Sequence, residues 1–194
     1  MSELRQKILD ASVELVAEQG VRAVSFREVA RRAGVSHQAP YHHFGNHQGI
    51  LEAIGREGFD LLAQSMQQAA AEAGGDALQA FHAGGVAYVR FARDHTGHFR
   101  VMFQRDLVTV HREDESLPEA EDAFGTLVRL CAEAQAAGYG LSLSADDLAV
   151  LCWSTVHGFA TLLIEGVLSA KFTDAESDGL TERIVGALSR LMTK

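Results

Sequence analysis

Proline is scarce in this chain, with Pro40 and Pro118 the two examples in 194 residues. So few helix breakers leave room for long, uninterrupted helices. Cysteine is equally scarce. Cys131 and Cys152 lie in apolar surroundings without C-x-x-C spacing, so no disulfide framework or cysteine-based zinc site follows from them. No run of about 18 apolar residues offers to cross a bilayer, and the first residues lack a basic-then-apolar leader pattern. A soluble, cytoplasmic protein with no membrane partner is expected. Aromatics make up 7% of the chain, yet 47% of it is hydrophobic and 22% charged, enough to bury a core. The length suits one medium domain or a small domain joined to a larger one.

Basic charge is also in deficit, but unevenly. The net charge is −9 overall, while residues 1–50 hold six Lys and Arg against five Asp and Glu, with four of the nine histidines. The acidic excess therefore sits in residues 51–194. An acidic body behind a neutral-to-basic head suggests two tasks in one chain.

What is present is helical periodicity. Leu4, Ile8, Ala11 and Leu15 form one stripe of a 3.6-residue repeat, ended by Gly20. Ser25-Phe26-Arg27-Glu28 is a capping box for a second helix, with Phe26, Val29, Ala30 and Ala33 inward and Gly34 as its stop. Ser36 is a good N-cap for a short third helix ending near Phe44, before the Gly45-Asn46 turn. A long helix from about 47 to 73 follows, with Leu51, Ile54, Leu61 and Leu62 inward and Gly74-Gly75 beyond. Asp76 caps a segment to about Asp94, and Thr96 another to about Leu107. Residues 109–118 read as a charged loop. Further helices are expected over about 119–137, 145–169 (opened by Ser144-x-x-Asp147) and 178–192. No stretch alternates with period two. The fold class is all-α with about nine helices, a head over residues 1–47 and a larger helical body over 48–194.

Two short helices around Gly34-Val35-Ser36 match a helix-turn-helix, in which the first helix braces and the second presents its outer face. An ordinary αα corner has the same spacing. The stretch FREVARRAGVSHQAPYHHFGNHQGILEAI, residues 26–54 within 8–54, resembles the N-terminal domain of TetR-family transcriptional regulators. The match rests on the small-residue turn in REVARRAGVS, on Tyr41-x-His43-Phe44 and on the helix carrying Leu51. Trp153-x-x-x-His157-Gly158 is similar to a signature of one TetR C-terminal subfamily.

The resemblance implies double-stranded DNA as partner and assigns roles by position. Arg27 matches a residue that reaches a base edge, where guanidinium pairs bidentately with guanine; a solvated surface arginine is the alternative. Ser36 and Ala39 fall close to phosphates. His37 and Gln38 occupy the exposed first turn, where bases are read, and Tyr41 matches a phosphate-contacting tyrosine. His42 points outward, toward DNA or solvent, whereas His43 and Phe44 pack the core. His47 stands where lysine is common, making one phosphate contact weaker and pH-dependent. Pro40 falls in the first turn of the recognition helix, where it is tolerated. His43 and His47 share i, i+4 spacing, but a turn separates them and no cysteine or carboxylate is adjacent, so no metal is expected.

One such head covers half an operator, so a homodimer is implied, formed by the last two helices. The stripe Leu151, Thr155, Gly158, Leu162 and Gly166, with Leu180, Ile184 and Leu188, fits an interface or an internal core. Phe81, Tyr88, Phe99, Met102, Phe103, Leu127, Cys131, Trp153 and His157 are candidates to line a cavity for a small-molecule effector; the same residues fit a core. No cofactor is expected. No nucleophile elbow, P-loop, dinucleotide fingerprint or His-carboxylate motif occurs, so the chain is not expected to be an enzyme. A helical protein-interaction module and, further off, an enzyme using the C-terminal cavity remain the alternatives.

Overall fold

The computed structural model describes residues 2–104, 122–139, 142–168 and 171–191. Among the described residues there are nine α-helices and no strand: α1 (Glu3–Gln19), α2 (Phe26–Ala33), α3 (Ala39–Phe44), α4 (His47–Glu72), α5 (Ala77–Asp94), α6 (Thr96–Met102), α7 (Ala123–Ala136), α8 (Ala145–Ile164) and α9 (Asp174–Leu191). The all-α expectation holds. The loop expected at 109–118 lies outside the described residues.

Local chemistry sets most helix ends. The Ser25 hydroxyl accepts from the Glu28 N–H and Ser144 from the Asp147 N–H, as the capping boxes require. Asp76 accepts from the Gln79 N–H at the start of α5. Gly34 closes α2 in the left-handed region, φ +63°, where glycine carries no Cβ penalty.

Several helix ends differ from expectation: α6 stops at Met102 rather than near Leu107, α7 begins at Ala123 rather than near 119, and α9 begins at Asp174 rather than near 178. Ser36 does not cap α3, which starts at Ala39 behind Gln38. Pro40 supplies the reason: its missing N–H is harmless only among the unpaired donors of a first turn, so it draws the helix start toward itself. Thr96 does not cap α6 either; His95 holds that position, without a side-chain capping bond. Helix α8 ends at Ile164 rather than 169, because Gly166 turns the chain at φ +73°.

The described residues gather into two compact units. The first takes residues 1–59 and a return segment beginning at 95; the second takes 60–94 and the chain from α7 onward. In the first, Ile8, Leu15, Val29, Ile50, Leu51 and Ile54 are fully buried together with Val101 of α6. Helix α6 lies so close to α1 that a Cβ on Gly97 would run into the Val13 carbonyl oxygen. In packing, the first unit therefore extends beyond the head expected at 1–47. In the second unit, α5 packs against α7, α8 and α9, burying Phe81, Val89, Leu130, Leu148 and Ala160. Leu61, expected inward, is half-buried; Leu62 and Met66 take the inner positions of α4 there.

By length and composition α8 could cross a membrane, although the sequence shows no uninterrupted apolar run. Its Leu148, Cys152, Val156 and Phe159 are buried within the second unit. It is a core helix with one apolar face outward.

Candidate nucleic-acid interface and effector cavity

The exposed edge of the first unit is built from α2, its turn and α3. Helix α2 carries two ion pairs. Arg31 is bidentate on Glu28 at 2.6 and 2.9 Å, and Arg32 meets Glu18 of α1 at 2.7 Å. These guanidinium bonds hold both carboxylates below their ordinary range. Arg27 is exposed and makes no ion pair among the described residues.

The turn and α3 present polar groups in sequence. Ser36, His37 and Gln38 are exposed, Ala39 is half-buried, and Pro40 is buried. Tyr41 is 47% exposed, yet its ring is fixed edge-on against Phe26, with centroids 4.6 Å apart. His37 leans toward the same ring at 6.0 Å. His42 is exposed and stacks on half-buried His43 at 5.4 Å. Phe44 is buried beneath the Arg5 guanidinium, 4.7 Å from its ring centre. His47 is exposed at the start of α4, where the Asn46 side chain accepts from the Gly49 N–H. Arg27, His37, Gln38, Tyr41, His42 and His47 thus share exposure and lie on one short stretch of chain. His37 and Gln38 precede α3 rather than forming its first turn.

Sequence reasoning missed a polar link inside this unit. Gln6 of α1 donates to Glu57 Oε1 of α4 at 2.8 Å, and His98 of α6 donates from Nε2 to Glu57 Oε2 at 2.9 Å. A carboxylate only accepts, so Nε2 carries the hydrogen. Nδ1 of the same ring is buried without a hydrogen-bond partner among the described residues. The three groups lie far apart in sequence, and no local pattern marks them.

The second unit holds a cavity of about 20 Å³, room for one water molecule. Phe81, Tyr88 and Leu127, three expected effector residues, line it with Met66, Cys152 and Val156 among others. Beside it stands a polar triad. Trp153 Nε1 donates to the Tyr88 hydroxyl at 3.1 Å, and that hydroxyl shares a hydrogen bond with His157 Nδ1 at 2.8 Å. Burial pushes the Tyr88 phenol well up and holds the His157 imidazolium below its ordinary value. Cys131 is fully buried against Cys152. The expected effector set is not one cluster, however: Phe99, Met102 and Phe103 belong to the first unit, where Phe103 packs edge-on with Phe59 and Phe99. Aromatic content does not reveal which unit a ring joins.

On α8, Leu151 and Leu162 are 42% and 44% exposed, Gly158 is exposed, and Thr155 is half-buried. Val150 extends this apolar face, and Gly166 is exposed in the turn beyond it. Leu180 and Ile184 of α9 are half-buried. Leu188 departs from expectation: it is buried and lines the cavity, so it belongs to the internal core. A stripe stepping by four drifts about 40° per step, and by Leu188 it has rotated onto the face of Thr181 and Val185.

A braced helix, a left-handed glycine turn and an exposed second helix define the helix-turn-helix class of DNA-binding proteins. Comparison with known proteins narrows the class. A family model described as bacterial regulatory proteins, tetR family, matches residues 8–54, and one described as tetracyclin repressor-like, C-terminal domain, matches residues 81–188. The chain belongs to the TetR family. It is 40% identical over 52 residues to the HTH-type transcriptional regulator SrpR of Pseudomonas putida, covering 27% of this chain and 24% of SrpR. It is 30% identical over 107 residues to the HTH-type transcriptional activator FasR of Mycolicibacterium smegmatis, covering 55% of this chain and 48% of FasR. The chain thus spans about a quarter to a half of these curated relatives. A solved protein of unknown function from Rhodococcus sp. RHA1 matches at TM-score 0.81 and 30% identity, covering 100% of this chain and 97% of that one.

Proposed function

We propose that the protein is a cytoplasmic transcriptional repressor that binds a palindromic operator as a homodimer and leaves it when a small effector occupies the body. Arg27 is the observation that carries this reading. It is exposed in the first turn of α2 without an ion pair among the described residues, while Arg31 and Arg32 are held by carboxylates. An arginine so placed suits bidentate pairing with guanine. His37 and Gln38 read neighbouring base edges from the turn. Tyr41, steadied by Phe26, contacts a phosphate, with Ser36, Ala39, His42 and His47 along the same backbone.

Dimerisation uses the outward face of α8, Leu151, Thr155, Gly158 and Leu162, with Gly166, Leu180 and Ile184. The effector site centres on Phe81, Tyr88, Leu127, Trp153 and His157, with Cys131 behind them. Pockets for drug-sized ligands hold hundreds of Å³, so a one-water cavity must widen for its ligand. Effector binding therefore selects a different state of the body, and DNA affinity falls by the ligand's differential affinity for the two states. The protein's role requires no catalytic step.

Fluorescence anisotropy with DNA from upstream of the protein's own gene tests this reading. Saturable, sequence-dependent binding by two protomers per site is expected. Equal affinity for scrambled DNA would overturn it.

A further inference from the structure

Cys131 and Cys152 are buried, at 0% and 3% exposure, on α7 and α8, two helices packed against each other in the second unit. Both are free thiols, near enough that each alters the other's proton affinity. Their positions are not equivalent. Cys152 lines the cavity, whereas Cys131 is not among the groups that line it. Cys152 thus faces a small void, and Cys131 is buried on the neighbouring helix α7.

The size of that void selects its reactants. Room for one water admits a neutral molecule of a few atoms and excludes bulky oxidants. An apolar lining that includes Phe81, Val156 and Leu188 also disfavours charged ones. We propose that the Cys131–Cys152 pair is a peroxide-reactive dithiol, with Cys152 the attacking sulfur and Cys131 the resolving one, and that oxidation joins α7 to α8 through a disulfide. This does not rest on operator binding.

The chemistry balances without a cofactor. Cys152 sulfur attacks one oxygen of hydrogen peroxide and the O–O bond breaks. The departing hydroxide takes the Cys152 thiol proton and leaves as water, with Cys152 now a sulfenic acid. Cys131 sulfur then attacks the Cys152 sulfur, and the S–O bond breaks. Hydroxide leaves with the Cys131 proton as a second water. Two electrons pass from the two sulfurs to the peroxide.

The test uses the full-length reduced protein exposed to hydrogen peroxide and read by intact mass. A loss of two hydrogens is expected, reversed by a thiol reductant. Cleavage after Glu133 separates the two cysteines, so peptide mapping locates the bond. Cys131→Ser should stop at a sulfenic acid on Cys152 that dimedone labels, and Cys152→Ser should leave Cys131 reduced. Mapping also separates sulfenic acid from sulfoxide on Met66, which lines the same cavity. Two thiols still titratable after peroxide has fully oxidised glutathione in the same tube would overturn the proposal. So would a disulfide between two chains, or equal dimedone labelling of Cys131 in Cys152→Ser. The wild-type mass change needs no variant, so a poorly folding substitution does not shield the idea.

Discussion

The two compact units bring their glycines against different kinds of neighbour. In the first, a Cβ on Gly49 would strike the Phe44 carbonyl oxygen, and one on Gly97 the Val13 carbonyl oxygen. In the second, a Cβ on Gly84 would sit 2.8 Å from Leu130 Cδ1, and one on Gly85 2.8 Å from Val185 Cγ1. A carbonyl oxygen moves only if its helix moves, whereas a terminal methyl swings aside. Gly58, against the flexible Met102 side chain, is the exception in the first unit. The first unit thus fixes helix positions by backbone contact, as a surface that reads bases must. The second is packed by side-chain ends around a void.

The strongest way to break that comparison is a matched pair of substitutions. Gly97→Ala is expected to destabilise the first unit by about 3 kcal/mol, while Gly84→Ala costs the second about 1 kcal/mol. Urea unfolding combined with hydrogen exchange in peptides from each unit measures both. Equal costs would erase the contrast.

Next in size is the readout edge. Arg27→Ala is expected to cost roughly 1–3 kcal/mol on the cognate operator and to relax preference at one base pair. Tyr41→Phe should weaken all sequences alike, since a phosphate contact positions without specifying. Anisotropy across an operator variant set distinguishes them, and a uniform loss for Arg27→Ala would move that residue to the backbone.

A smaller effect belongs to the body alone. Burial holds His157 below its ordinary value, so as pH falls the unfolded chain takes up a proton before the folded one. Its contribution is complete above about pH 6.5 and is lost as pH drops through the lower folded value. Urea midpoints between pH 7.5 and 5 should fall for the wild type and flatten for His157→Gln. Parallel curves would show that His157 does not set the acid limb.

The smallest effect has the opposite sign. Nothing lies within 4 Å of a Cβ placed on Gly158, in the interior of α8. Gly158→Ala should therefore stabilise the isolated protomer by about 0.5–1 kcal/mol through helix propensity. If a second copy packs on this face, the same methyl weakens the dimer, which sedimentation over a dilution series would reveal. A tighter or unchanged dimer would place the interface elsewhere.

Much of the fold was legible because its signals are local. Ser25 with Glu28, Ser144 with Asp147 and the turn glycines 34, 45, 74 and 75 act within a few residues of themselves. The start of α3 was misread because Pro40 outweighs Ser36, a contest between two local rules. What could not be read is long-range. Nothing near Gly97 announces that α6 returns to α1, and Gln6, Glu57 and His98 meet only once three helices are packed. The expected effector residues show the same limit, since Tyr88 and His157 meet in one unit while Phe99 and Phe103 settle in the other. Exposure of His37, Gln38 and His42 was foreseen, because a short polar helix has few residues to bury.

The ion pairs on α2 bear on how this protein would find its site within a chromosome. Arg31 and Arg32 are each occupied by a carboxylate, and the acidic excess lies in the rest of the chain. Few cations remain to displace counterions, so the log-log salt slope should be shallow, about 0.9 per phosphate neutralised. Weak attraction to arbitrary DNA leaves most copies unbound in solution rather than parked on the genome's vast excess of wrong sequences. A small pool of protein then suffices to keep one operator occupied, and its occupancy tracks the number of copies made.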